Sequence, residues 1–167
     1  MTLTEPDLAP RSPGATRVTL GQLMGPPEAN LQGNVHGGYI MKLMDEAGGS
    51  VAIRHAHRDV VTVAVDQVLF LEPIHLGDLV TLTAVLTYVG RSSMEVRIEV
   101  TALNLRADKQ THTNTAYFVY VALDEQGRPT PVPPLKLETD AERAEWQAAA
   151  QRQAYRLAQR EKKRGET

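Results

Sequence analysis

The spacing of apolar residues along the chain changes from a helical period to a period of two. Residues 39–55 place their apolar side chains on one stripe when drawn as a helix with about 100° per residue. That stripe consists of Ile40, Leu43, Met44, Ala47 and Val51. Because such a stripe must be buried against another layer, the pattern predicts a helix that packs on a sheet.

Segments on both sides of the predicted helix have the residue pattern of β-strands. Residues 60–70 are almost continuously apolar, which predicts a strand covered on both faces and ended by Glu72 and Pro73. Further strands are predicted at residues 15–24, 79–89, 93–103 and 111–123. Short connections join the later strands, so neighbouring strands must be antiparallel. The predicted class is α+β, with one long helix against a curved antiparallel sheet.

The two ends of the chain lack this periodicity. Residues 1–14 carry three prolines and are predicted to form a flexible N-terminal arm, which leaves residues 15–124 as the folded domain. The pattern of residues 125–167 predicts a Pro-rich linker followed by a helix that begins near Thr139. The end of that helix, residues 152–164, carries six basic residues against Glu161 alone. A solvated helix that frays and an interaction tail both fit this pattern.

Composition narrows the classes of function. The 167 residues include 18 basic and 20 acidic side chains, so the chain has no general basic excess suited to nucleic acid. It has no cysteine, which excludes disulfides, thiolate catalysis and Cys-ligated metals. We find neither a secretory leader pattern nor an apolar stretch long enough to span a bilayer. We therefore expect a cytoplasmic protein that binds neither nucleic acid nor membrane.

Polar residues and glycines gather around the start of the predicted helix. The cluster consists of Asn30, Asn34, His36, Gly37, Gly38 and Asp45. Glycine amides at a helix N-terminus can donate hydrogen bonds to a carbonyl oxygen or an oxyanion. Gly48 and Gly49 share the helix face of Asp45 and weaken the helix, which indicates that another group approaches this face closely. Catalysis by Asn34 and Asp45 is one interpretation; a turn or capping role for Asn34 and a structural role for Asp45 are the others.

Metal and nucleoside triphosphate sites are poorly supported. His55 and His57 would point about 200° apart on a helix, and no carboxylate pair lies at ligand spacing beside them. Residues 33–38 lack the Lys and Ser/Thr of a phosphate-binding loop. We predict no metal site.

Seven stretches of the chain carry a more specific signal when they are taken together and in order. They are NLQGNVHGG (30–38), KLMDEAG (42–48), RH (54–55), VTVAVD (61–66), FLEPI (70–74), GD (77–78) and GRSSMEV (90–96). This series closely resembles the hotdog-fold acyl-CoA thioesterases of the cytosolic acyl-CoA hydrolase type. The resemblance covers roughly residues 16–124 and leaves the segment after Leu123 unmatched.

The resemblance implies a hotdog fold and hydrolysis of fatty acyl-CoA to free fatty acid and CoA. It implies a dimer, assembling further as a trimer of dimers, in which Asn34 of one subunit and Asp45 of another form each site. Asp45 would be the general base or nucleophile, and His36, Gly37 and Gly38 would position the thioester. The implied CoA-binding residues are Thr62, Val63, Gly90, Arg91, Ser92 and Ser93. No cofactor is implied, because CoA is part of the substrate and the product.

Two other functions fit the same fold. One is a non-catalytic module that binds or senses acyl-CoA, although a pure binder has no need for an acid beside the thioester. The other is hydratase or dehydratase chemistry, for which we would expect a His paired with an Asp or Glu in motifs that this chain lacks. The pattern encodes neither the acyl chain length nor the role of the basic C-terminal helix.

Overall fold

The computed structural model describes residues 7–165, which form one five-stranded antiparallel sheet and two long helices. The strands are β1 (Val18–Leu23), β2 (Asp59–Val65), β3 (Asp78–Val89), β4 (Ser93–Asn104) and β5 (Lys109–Leu123). The helices are α1 (Gly37–Ala56) and α2 (Asp140–Gly165). The strand order is β1-β3-β4-β5-β2, and every neighbouring pair is antiparallel. The predicted class and the helix-on-sheet packing are therefore confirmed.

Helix α1 connects the two edge strands and packs on one face of the sheet. All five residues of the predicted stripe are buried, and they form one core with sheet residues such as Leu82, Ile98 and Phe118. His36 caps the start of α1, where its Nδ1 accepts a hydrogen bond from the Gly38 N–H at 2.9 Å. The helix ends at Ala56 and is capped by His57, which takes a left-handed conformation with φ of 49°.

Strand β2 is shorter and more exposed than its apolar sequence predicted. It ends at Val65, and Val61, Val63 and Val65 are 43%, 54% and 42% exposed. Among residues 7–165, β2 pairs only with β5, so it is an edge strand of the sheet. The prediction of a strand over residues 60–70 that is covered on both faces is wrong for a single chain, because a continuously apolar run does not itself provide a covering partner.

The segments flanking the predicted domain pack against it. Residues 1–6 of the predicted arm lie outside the described residues, but Arg11 pairs with the C-terminal segment through its N–H to Pro134 O (3.1 Å) and its C=O to Lys136 N (2.9 Å). Arg11, which the sequence assigned to the flexible arm, is thus paired with the C-terminal segment. In the Pro-rich segment, Val132 is buried and its N–H donates to Arg91 O at 3.0 Å. This segment is a packed part of the fold.

Helix α2 covers the face of the sheet that α1 leaves open. Thr139 begins it, as predicted: Thr139 Oγ1 accepts from the Glu142 N–H (3.1 Å) while Glu142 Oε2 accepts from the Thr139 N–H (3.0 Å). The Trp146 ring lies 5.4 Å from the Tyr88 ring of β3. Because its inner side contacts the sheet, α2 is not simply a solvated helix. Within residues 7–165, no helix is both long and apolar enough to cross a membrane.

A buried carboxylate anchors the middle of α2. Glu95 of β4 is 1% exposed and accepts hydrogen bonds from Thr87 (2.6 Å), Arg152 (2.8 Å) and Arg156. Arg156 also donates to Asp66 Oδ2 at 2.8 Å. Burial by itself raises the pKa of Glu95, but the hydrogen bonds from Arg152, Thr87 and Arg156 lower it by more, so the net pKa lies below the ordinary value. Glu95 is thus the ionised partner of two arginines on α2.

Candidate active site

The loop before α1 is closed around the side chain of Asn30. Asn30 Oδ1 accepts hydrogen bonds from the backbone N–H groups of Gln32 (2.9 Å) and Asn34 (3.1 Å). The Asn30 N–H in turn donates to Asn34 O at 2.7 Å. Two N–H donors fix the oxygen end of the Asn30 amide, so its Nδ2 is left as an oriented donor. Asn34 contributes its backbone to this loop, and its side chain makes no hydrogen bond to another described residue.

A cavity of about 350 Å³ adjoins this loop and the start of α1. Asn30, Asn34 and Gly37 lie on one side of it, and the segment from Phe70 to Ile74 lies on the other. A Cβ at Gly37 would come 3.3 Å from the Phe70 ring, so glycine permits this close approach. The Gly37 N–H makes no hydrogen bond to another described residue, whereas the Gly38 N–H is occupied by His36. Of the two glycine donors predicted for an oxyanion, only Gly37 is open in this structure.

Asp45 lies two turns into α1, about 12 Å along the helix axis from Gly37. Its Oδ1 accepts hydrogen bonds from Thr62 Oγ1 of β2 (2.7 Å) and from Tyr120 Oη of β5 (3.2 Å). The residue is exposed within the chain and does not line the cavity beside Asn34. A single chain therefore does not bring Asn34 and Asp45 into one cavity.

Tyr120 is the group that approaches the glycine face of α1. A Cβ at Gly48 would overlap the Tyr120 hydroxyl, and a Cβ at Gly49 would lie 3.8 Å from the ring. The predicted close approach to this face is confirmed, although the sequence did not indicate that a tyrosine makes it. Burial, and then the negative charge of Asp45, raises the pKa of Tyr120. The hydroxyl therefore keeps its proton and serves as a donor to Asp45.

The six residues that the resemblance assigned to CoA are distributed over two faces of the sheet. Thr62 contacts Asp45 on the α1 face. Val63 and Ser93 line a different cavity, of about 730 Å³, beneath the end of α2. Gly90, Arg91 and Ser92 form the turn between β3 and β4, and the Arg91 side chain is exposed there. The structure thus unites Val63 with Ser93, but it places Thr62 beside the candidate catalytic acid.

Among the described residues, no group of three or more His, Asp or Glu side chains is placed to hold a metal ion. His55 is fully buried, and its Nε2 lies 2.7 Å from Pro133 O. Burial lowers the pKa of His55, so the neutral ring donates this hydrogen bond and ties α1 to the Pro-rich segment. This histidine has a structural contact rather than a place in either cavity.

Comparison with known proteins identifies the family to which the chain belongs. The family model described as the thioesterase superfamily matches residues 32–107. An acyl-CoA thioester hydrolase of Zymomonas mobilis, named as uncharacterised, is 40% identical over 129 residues, which are 77% of this chain and 83% of that protein. The chain belongs to the thioesterase superfamily. The rat cytosolic acyl coenzyme A thioester hydrolase is 35% identical over 91% of this chain, but the match spans only 40% of the rat protein.

Solved structures of thioesterases have the same fold. The acyl-CoA hydrolase of Staphylococcus aureus, in complex with butyryl coenzyme A and coenzyme A, aligns with a TM-score of 0.85 and 32% identity over 93% of this chain and 94% of that one. An apo-hexameric acyl-CoA thioesterase aligns with a TM-score of 0.86 and 32% identity over 90% of this chain and 97% of that one. The predicted hotdog fold is confirmed.

Three variants of the Staphylococcus aureus hydrolase have also been characterised. In one an aspartate, in another an asparagine and in the third a threonine is replaced by alanine. In that protein the asparagine lies 15 positions before the aspartate, and the threonine lies 17 positions after it.

Proposed function

We propose that this thioesterase-superfamily chain hydrolyses acyl-CoA to a carboxylate and CoA, with Asp45 as the general base or the nucleophile. The observation that carries the proposal is the placement of Asp45, which two hydroxyl donors hold at the surface of the glycine-lined face of α1. A carboxylate that accepts two hydrogen bonds through Oδ1 keeps Oδ2 for a water molecule or a substrate carbon. The relatives that are named as acyl-CoA thioester hydrolases support the same activity.

The spacing of the candidate residues favours Asn30 over Asn34 as the second catalytic group. Asn30, Asp45 and Thr62 are separated by 15 and 17 positions, the same intervals as the three residues replaced in the Staphylococcus aureus hydrolase. Asn30 also has the more defined geometry, since its Oδ1 is held by two loop amides. In this proposal, Asn34 contributes the backbone that orients Asn30.

Two donors beside one cavity are suited to the thioester carbonyl. Asn30 and Gly37 both line the cavity of about 350 Å³, and the Asn30 Nδ2 and the Gly37 N–H lack other described partners. Donors placed where negative charge develops stabilise the tetrahedral intermediate. His36 supports them by capping the helix start through Gly38.

The reaction needs no cofactor beyond the CoA of the substrate. In the general-base route, Asp45 takes a proton from water while the water oxygen attacks the carbonyl carbon. Collapse of the tetrahedral intermediate breaks the C–S bond, CoA leaves as the thiol with the proton that Asp45 accepted, and the carboxylic acid product releases its proton to solvent. In the nucleophilic route, an Asp45 carboxylate oxygen attacks the carbonyl carbon and the C–S bond breaks, so CoA leaves as a thiolate that is then protonated. Water hydrolyses the resulting anhydride and regenerates the Asp45 carboxylate. The residues present serve either route.

We infer that a second copy of the chain completes each site. Asp45 and the Asn30 cavity are separate within one chain, and the edge strand β2, whose Thr62 hydrogen-bonds Asp45, carries the exposed residues Val61, Val63 and Val65. Pairing of two β2 edges would cover this apolar surface and place the Asp45 of one copy opposite the cavity of the other. The hexameric thioesterases among the solved relatives support a further assembly into a trimer of dimers.

Steady-state hydrolysis of saturated acyl-CoAs from acetyl to palmitoyl, followed by thiol release, tests the proposal. We expect turnover by the wild type and a fall in kcat of about 100-fold or more for Asp45→Asn, with CoA binding retained. Glu46→Gln is the matched control, because Glu46 is the neighbouring acid on α1 and pairs only with Lys42 at the surface. CoA binding without turnover by the wild type would instead support the non-catalytic acyl-CoA-binding module.

Single substitutions distinguish the contributions of Asn30 and Asn34 to catalysis. We expect Asn30→Ala to lower kcat by about tenfold or more, since it removes an oriented donor, and Asn34→Ala to have a smaller effect. Mixing Asn30→Ala with Asp45→Asn should restore part of the activity through hybrid dimers that carry one intact site. A larger loss of kcat for Asn34→Ala than for Asn30→Ala would assign the role of second catalytic group to Asn34. If the two variants exchange subunits but the mixture remains inactive, the site is not shared between two chains.

A further inference from the structure

The segment that follows β2, residues 66–74, has no regular secondary structure and exposes three consecutive large apolar side chains. Leu69, Phe70 and Leu71 are 56%, 48% and 63% exposed. Phe70 and Leu71 also line the cavity of about 350 Å³ beside Asn30. Adjacent exposed apolar side chains at the mouth of a cavity are typical of a surface that contacts a ligand.

A β-bulge in β5 holds this segment in place. The register of β4 with β5 shifts at Thr113, which is the extra residue of the bulge. Thr113 O accepts a hydrogen bond from the Leu71 N–H at 3.2 Å, and Asn114 Nδ2 donates to Leu69 O at 2.7 Å. These two hydrogen bonds lie on either side of Phe70 in the chain, so together they fix the backbone position of Phe70.

Asn114 is fully buried, and packing alone does not account for it. Among residues 7–165, its side chain makes a single hydrogen bond, the one from Nδ2 to Leu69 O, and its Oδ1 has no partner. A buried amide with one unsatisfied end is less favourable than an apolar side chain of similar shape. The distinctive contribution of Asn114 is therefore its hold on the Leu69 carbonyl.

Phe70 is held directly over one of the two proposed carbonyl donors. A Cβ at Gly37 would come 3.3 Å from the Phe70 ring, and the Gly37 N–H points to the thioester oxygen in the proposed function. The rest of the cavity lining includes Val35, Ile40 and Ile74. A hydrocarbon chain suits these walls better than the amide-bearing pantetheine arm of CoA. The acyl chain of a thioester bound at Gly37 thus lies against Phe70.

We propose that Asn114 is a positioning residue for acyl-chain selectivity. By holding the Leu69 carbonyl it keeps Phe70 against Gly37, where the ring forms the wall that contacts the acyl chain. The inference rests on the proposed thioesterase function for its choice of substrate. Each methylene group that the wall covers should strengthen binding about fourfold, so displacement of Phe70 should weaken longer acyl chains more than acetyl.

The test compares the kcat/KM ratio of hexanoyl-CoA to acetyl-CoA in Asn114→Leu, in Phe70→Ala and in the double variant. Leucine has nearly the shape of asparagine and cannot hold the Leu69 carbonyl. We expect each single substitution to lower the ratio about tenfold, and the double variant to lower it no further, because both changes act on the same wall. Asn114→Ser, which adds no bulk and is too short to reach Leu69, replaces Asn114→Leu if the latter does not fold.

Two control variants separate this role from general effects. Leu69→Ala removes an equally exposed apolar side chain that lies outside the cavity and keeps the carbonyl that Asn114 holds. Thr113→Val removes a buried hydroxyl that donates to Val100 O at 3.2 Å, so it weakens the same bulge without releasing Leu69. We expect both variants to keep the wild-type ratio.

A binding measurement makes the inference independent of turnover. Calorimetry compares the Kd values of two CoA thioethers that cannot be hydrolysed, S-hexyl-CoA and S-methyl-CoA, and we expect Asn114→Leu to reduce the preference for the hexyl compound about tenfold. If this is observed but the wild type hydrolyses no thioester, the proposed function fails while the acyl wall stands.

Other results would overturn the inference and leave the proposed function standing. They are turnover with an unaltered ratio in the Asn114 variants, a ratio that rises when Phe70 is removed, and an equal fall of the ratio in Thr113→Val. The first would mean that Asn114 does not position Phe70. The second would mean that the ring obstructs the chain, and the third that loss of stability changes selectivity.

Discussion

Helices α1 and α2 pack on opposite faces of one sheet and are held there by different forces. Helix α1 is held mainly by burial: nine of its residues are buried, including Met44, Ala47 and Val51 at 0% exposure. Helix α2 buries only Ala149 among its described residues and is anchored by the ion pairs of Arg152 and Arg156 with Glu95. Apolar burial leaves a periodic stripe in the sequence, whereas a few long-range ion pairs do not.

This difference bears on function as well as on stability. On the α1 face, close packing around two glycines positions Tyr120 and, through it, Asp45. On the α2 face, charged side chains satisfy one buried carboxylate, while Arg160 and Arg164 at the end of the helix line a cavity. The first face thus holds the proposed catalytic acid, and the second exposes positive charge at the end of α2.

Glu95→Gln should weaken the attachment of α2 to the sheet and should have the largest effect on stability among these substitutions. It removes the charge that partners Arg152 and Arg156, so we expect a loss of about 3 kcal/mol in the free energy of unfolding. Glu99→Gln is the matched control, because Glu99 lies on the same strand, is 45% exposed and contacts Arg97 only at 3.4 Å. Denaturant unfolding measures both, and equal losses would mean that α2 is held by its apolar contacts instead.

The contribution of Glu95 should also depend on pH. Its pKa in the folded chain lies below the ordinary value of 4.5, so its stabilisation is present above that value and is lost as the pH falls through the depressed folded pKa. The difference in unfolding free energy between wild type and Glu95→Gln should therefore be constant near neutrality and shrink in acid. A difference that does not change down to acid unfolding would contradict the ionised state assigned to Glu95.

Gly48→Ala should disturb the packing between α1 and Tyr120 of β5. The new methyl group would overlap the Tyr120 hydroxyl, and we expect a loss of about 2 kcal/mol together with reduced kcat as the tyrosine moves away from Asp45. Gly49→Ala is the control: its Cβ makes ordinary contact at 3.8 Å, so alanine should stabilise the helix by up to about 1 kcal/mol. Thermal unfolding and turnover are measured for both variants. Similar effects of the two substitutions would contradict a steric clash between the Gly48→Ala methyl group and Tyr120.

Tyr120→Phe should have the smallest effect. It deletes the 3.2 Å hydrogen bond to Asp45 Oδ1 while Thr62 still holds that oxygen, so we expect kcat to fall about fivefold with KM unchanged. Tyr117→Phe removes a hydroxyl from the same strand on the α2 face, where Arg152 lies over its ring, and should leave kcat unaltered. Equal kcat values for the two variants would show that Tyr120 has no part in positioning Asp45.

The sequence by itself determined the α+β class, the buried stripe of α1 and the cluster at its start, because these depend on local periods and on the conformational preferences of Gly and Asn. It also indicated that something approaches Gly48, since two glycines in a helix cost stability without a local reason. Near the site, its pattern made Asn34 and Asp45 candidates, and the resemblance to the hotdog thioesterases assigned them the catalytic roles. It did not separate Asn34 from Asn30, since both asparagines lie in one loop and only the folded loop shows that the Asn30 side chain accepts the N–H groups of Gln32 and Asn34.

Tertiary structure alone decided the features that depend on residues distant in sequence. Tyr120 reaches Asp45 across 75 positions, and Arg152 reaches Glu95 across 57. The apolar run of β2 became an exposed edge because the strand order placed it last in the sheet. The basic end of α2 lines a cavity with Val63 and Ser93, on the face of the sheet where the ion pair of Arg152 with Glu95 holds the helix. These outcomes follow from long-range pairing, which a single sequence does not record in its local periodicity.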